Sequence, residues 1–142
     1  MITQAIYDVL VNDAALAGML AEYKGLPAIF TFDPAPEDAS FPYIVTAGSP
    51  VQTPYDTKLS QGRQIWRDVR CYDAANGSVA NVEAIAERVR ALLHGQKISA
   101  TNFATIWAEC DGPTVADDGS SYGRIVTLKI TVVEIEQQQP VF

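Results

Sequence analysis

Three aspartates, Asp111, Asp117 and Asp118, come nearest to a chemical signature in this 142-residue chain. Hard carboxylate oxygens gathered on one loop suit magnesium or calcium. Their spacing is not that of the helix–loop–helix calcium motif, which needs acids at alternate positions and a distant Glu. A solvated turn is the simpler reading, and Glu37 and Asp38 read the same way. His94 is the one histidine. It falls in the last turn of a helical segment, where a cation suits the negative end of the dipole. One histidine and two separated cysteines do not compose a zinc set. The dinucleotide and P-loop glycine patterns are absent, and no hydrolase elbow is expected. The residues therefore point to no catalytic group, no metal and no cofactor.

The elements that would position any site are easier to read. Residues 64–95 form a strand–helix unit. Ile65, Val69 and Cys71 alternate with Trp66, Asp68, Arg70 and Tyr72, and Arg67 interrupts the apolar side. Trp66 and Tyr72, on the less apolar side, either mark a partner surface or cover that face of the sheet. After a turn at Asp73, Asn76 and Gly77, an apolar helical stripe follows: Val79, Val82, Ile85, Ala86, Val89, Leu92 and Leu93. Asn76 or Ser78 can cap its start, and Gly95 can take the left-handed conformation that ends it.

Upstream, residues 3–21 read as two helical pieces or one bent helix, with Asn12 and Asp13 ending one piece and capping the next. Lys24 and Gly25 end the helical region, and Pro27 forbids its continuation. Residues 28–32 are a short strand, and 33–40 are loop. A second strand starts at Phe41 or Tyr43, with Pro42 at its beginning. Residues 49–62 form a long polar connection, either one arm of a hairpin or a mobile functional loop.

Downstream, residues 104–110 read as a strand, 111–121 as a second long polar loop, and 122–135 as the clearest strand. In that strand Val126, Leu128, Ile130 and Val132 share one face. The two pair as an antiparallel hairpin. Residues 136–142 read as a polar tail. The whole is expected to be one α+β domain: an antiparallel or mixed sheet of about four to five strands, with a helical pair and one long helix on one face.

Composition sets further bounds. Seventeen acids against ten bases give a net charge of −7, which disfavours a site that grips nucleic acid. No apolar run reaches the roughly 20 residues of a membrane span, and the N-terminus does not read as a signal peptide. Cys71 and Cys110 lie in strand-like segments and read as reduced, buried residues. A disulfide between neighbouring strands is the alternative.

The layout resembles the small tail-completion or tail-terminator proteins of long-tailed phages and gene transfer particles. The resemblance runs through the helical pair with Leu10, Leu16 and Leu20, then Ala28-Ile29-Phe30 and Pro42-Tyr43-Ile44-Val45. It continues in Val69-Arg70-Cys71-Tyr72, the helix with Ala86, Val89 and Leu92-Leu93, and the terminal hairpin. The family often has a tryptophan where this chain has Tyr72. The resemblance implies a structural, non-enzymatic virion protein, assembled in a bacterial host. It would form a ring, usually a hexamer, on the head-proximal end of the tail tube. There it would stop tube polymerisation and join the tail to the head connector. The implied partners are copies of itself, the tail tube protein and the connector or stopper protein. DNA would pass through the lumen without specific binding. Tyr55, Asp56, Lys58, Trp66, Tyr72, Asp117 and Asp118 are the candidate contact residues. Rival readings are a head-side adaptor, another minor tail protein, an enzyme built on the three aspartates, and a generic ligand-binding domain.

Overall fold

The computed structural model of the chain describes residues 2–32, 35–46, 51–54, 62–96, 98, 103–117 and 119–134. The N-terminal apolar pattern is split at Asp13 into helices α1 (Ile2–Val11) and α2 (Ala14–Met19). Asp13 is the N-cap of α2, and its carboxylate accepts the Leu16 N–H at 2.9 Å. Lys24 and Gly25 do not end a helix. They are consecutive positive-φ residues, 51° and 85°, at the turn between β1 (Glu22–Tyr23) and β2 (Leu26–Pro27). Two left-handed residues give a two-residue hairpin the twist of its strands.

β3 (Ile29–Phe30) and β4 (Tyr43–Val45) lie within the segments read as strands, and β4 starts at the second of the two expected positions. β5 (Val51–Pro54) pairs antiparallel with β6 (Gly62–Ala74). That resolves part of segment 49–62 as a hairpin arm; the rest, with Tyr55, Asp56 and Lys58, lies outside the described residues. Helix α3 spans Ala80–Leu93, and the sheet is completed by β7 (Phe103–Val115) and β8 (Ser121–Glu134).

The expected long loop at 111–121 is mostly strand. Gly112-Pro113 is turn chemistry, but it sits in a bulge, where the register shifts between Asp111 and Thr114. Gly112 takes φ 97°, and the strand runs on to Val115. The hairpin connection shrinks to residues 116–120.

Strand order is β3-β4-β6-β8-β7, with β5 following β4 along the same edge of β6. β3 and β4 are parallel and the other pairs of this sheet antiparallel. The α+β reading holds, with a mixed sheet and the helices on one face. Val126, Leu128, Ile130 and Val132 of β8 and Val82, Ile85, Ala86, Val89 and Leu93 of α3 are all fully buried. These are the two sides of the core, each large aliphatic contributing roughly 1.5–3 kcal/mol before entropy is counted.

Capping of α3 differs by one residue from expectation. Val79 is the N-cap and gives no side-chain bond; Ser78 Oγ accepts the Ala80 N–H at 3.3 Å. Gly95 ends the helix at φ 71°, as the sequence predicts. Cys71 and Cys110 are free and buried. They stand on β6 and β7, with β8 between them, so two strand spacings of roughly 4.8 Å each hold them beyond bonding reach.

Candidate interaction surface

Trp66, Asp68, Arg70 and Tyr72 stand on the face of the sheet turned away from α3, because period-two alternation puts Ile65, Val69 and Cys71 on the other. Neighbouring strands complete rows across this face. Trp66, Lys129 and Glu109 are in register on β6, β8 and β7. Lys129 Nζ lies 5.7 Å from the Trp66 ring centroid and 3.6 Å from Glu109 Oε1. Asp68, Thr127 and Asp111 form the next row. Thr127 Oγ1 donates to Asp68 Oδ1 at 3.1 Å, and Arg70 lies 3.8 Å from Asp68. Half-exposed pairs of this kind contribute at most about 1 kcal/mol each. They fix side-chain directions more than they stabilise the fold.

At the β3–β4 margin this face becomes aromatic. Tyr23 and Phe30 meet edge to face at 5.1 Å, and Phe30 reaches Phe32 and Tyr43, each at 5.9 Å. Tyr43 stacks on Phe41 at 5.2 Å and touches Tyr72 at 5.4 Å. Ala28, Phe30 and Val45 are the buried floor of this second, smaller core. Tyr23 Oη donates to Asp38 at 3.0 Å, and that bond raises the phenol above its ordinary pKa. Phe32 and Phe41 are exposed. Beside them a cleft of about 220 Å³ is lined by Gln4, Tyr7, Ile29, Phe30, Thr31 and Phe32.

Tyr72 belongs to this cluster. Its ring lies over Gly123 of β8, where a Cβ would come within 3.2 Å of Tyr72 Cε1 and 2.5 Å of the Ala116 carbonyl oxygen. The ring therefore covers backbone as well as contributing surface. Sequence periodicity does not show the rest of the cluster, since contacts from Tyr23 to Tyr72 join separate elements. A signal was present in the aromatic pairs Phe30/Phe32 and Phe41/Tyr43, each at strand spacing on either side of one loop.

The aspartates do not assemble as a cation site. Asp111 is exposed on β7 opposite Thr127. Asp117 is committed elsewhere: its Oδ1 accepts from Gly123 N–H at 3.0 Å and from Arg124 at 2.8 Å. Arg124 is buried on the helix-facing side of β8 and also reaches Glu83, in the first turn of α3, at 3.3 Å. Asp118 lies outside the described residues. Among the described residues no three His, Cys, Asp or Glu side chains gather where they could hold a metal ion.

His94 is not a charged dipole partner here. Its Nδ1 accepts the Cys110 N–H at 3.0 Å, which requires an unprotonated nitrogen. Gly119-Ser120-Ser121-Tyr122-Gly123 does carry the GxSxG spacing, contrary to the expectation that no such string exists. Its context removes the chemistry. Ser121 opens a strand after a hairpin, with no strand-to-helix elbow, and His94 is engaged with Cys110. Burial raises the thiol pKa of Cys71 to about 12 and of Cys110 to about 11, so neither is a ready nucleophile.

Comparison with known proteins fits this picture. The model of a family described as "Tail completion protein gp17" matches residues 4–133. A chain of a solved structure titled "Virion of native gene transfer agent (GTA) particle" has the same fold. It aligns with a TM-score of 0.76 and 17% identity, covering 92% of this chain and 93% of that one. No curated protein matches the sequence.

Proposed function

Because the chain belongs to the tail completion protein gp17 family, we propose that it caps the head-proximal end of a phage-like tail tube as a ring of identical subunits, a hexamer in the simplest case. The family is one of structural tail proteins, and the chain is a virion component rather than an enzyme. In this role it ends tube polymerisation and presents a surface to the head connector. Its partners are its own copies, the tube protein and the connector. The observation that carries the reading is the reach of the family match, which spans helices, sheet and terminal hairpin together.

The surface supports it. An aromatic margin with exposed Phe32 and Phe41 is what a subunit needs to bury against a neighbour. The acidic excess of −7 suits a lumen that DNA crosses without adhering.

Electron microscopy of purified protein, alone and with tail tubes, tests the proposal. Rings at tube ends and shortened tubes are expected. Tubes that elongate unchanged beside a monomeric protein would overturn it. Pull-downs against tube and portal-side proteins separate this role from that of a head-side adaptor.

A further inference from the structure

Four large apolar side chains stand exposed among the described residues: Leu26, Phe32, Phe41 and Val115. Three belong to the β1–β4 margin. Val115 stands apart, 63% exposed, at the end of β7 on the opposite margin. The two spots differ in form. The first is concave, with the 220 Å³ cleft between α1 and β3 beside Phe32. That is smaller than the roughly 300–1,000 Å³ of small-molecule sites, and it suits a single side chain. The second is a knob on a hairpin.

We propose, building on the ring reading, that Val115 of one copy seats in the β3-edge cleft of the next, beside Phe32. The occupant is a second copy because socket and knob lie on opposite edges of the same sheet, four strand spacings apart. Unlike patches on opposite sides make head-to-tail contacts, which close into a ring by rotation. A foreign partner filling the cleft would leave Val115 bare. Strand addition does not compete at the Val115 margin. The outward backbone of β7 is already bonded, with Gly95 N–H on the Ala108 carbonyl at 2.7 Å and His94 on the Cys110 N–H. Further along the strand, Pro113 has no N–H to offer. Side chains are left as the means of contact.

Cysteine cross-linking tests it, since the native thiols are buried. Phe32→Cys and Val115→Cys are made separately, mixed at ring-forming concentration and oxidised. Disulfide dimers should appear in the mixture and be much fewer with either variant alone, and the double variant should give a ladder. Rings without the mixed cross-link would overturn this contact and leave the ring reading standing. Equal linking by Phe32→Cys alone would mean a two-fold contact and overturn it too. Absence of both rings and links would overturn both. Val115→Asp should weaken assembly about tenfold or more, since a charge would enter an apolar socket, with monomer melting unchanged. Rings of undiminished stability in that variant would count against the contact.

Discussion

At Asp13 one carboxylate serves two elements. It caps α2 and holds Arg88 of α3 through two bonds, 2.9 and 2.6 Å long. The hydrogen bond from Arg88 is the main cause of its lowered pKa. A carboxyl lowered on folding contributes stability above its unfolded pKa, about 3.9, and loses it as pH falls through the lower folded value. Asp13→Ala should cost about 1 kcal/mol for the cap alone, or about 3–4 °C in Tm. The gap between wild type and Asp13→Asn should close below about pH 4 in thermal melts, because both side chains are then neutral. The cap was legible from Asn12-Asp13 between two apolar faces; its bond to Arg88, 75 residues on, was not. At Cys71 and Cys110, burial predicts no reaction with a thiol reagent near pH 8 until the protein is denatured, measured by absorbance with and without urea.

At the scale of elements, α3 was the most legible, because seven apolar positions at helical spacing leave no other reading. Val89→Asp puts a charge at a fully buried position and should remove at least about 4 kcal/mol, near the whole stability of many domains. Loss of the far-ultraviolet helix signal would register it. The β7–β8 hairpin was half legible. The alternation of Val126 to Val132 is plain, but Gly112-Pro113 is punctuation whether it ends a strand or bulges it. The helix-facing Arg124 settles the geometry by tying Asp117 in the turn to Glu83 on α3. Arg124→Ala should destabilise by up to about 3 kcal/mol, the partners being half-exposed or more. Gly123→Ala should unsettle the same hairpin, since its Cβ would meet the Ala116 carbonyl. Denaturant midpoints check both.

For the whole molecule, charge and shape point the same way. A chain of net charge −7 should leave duplex DNA unretarded in a gel at physiological salt, even when assembled. The sequence showed a sheet with helices on one face, and so a face left over. It did not show that the leftover face turns aromatic at one margin, because that depends on which strands lie side by side. The clasp of His94 and Gly95 on β7 has a consequence for the life of the subunit before it meets a tail. A protein made in bulk and held in reserve must tolerate crowding by its own kind. With that stretch of backbone already occupied, the stockpile is barred there from knitting into fibres, and incorporation is left to the slower matching of one surface to another.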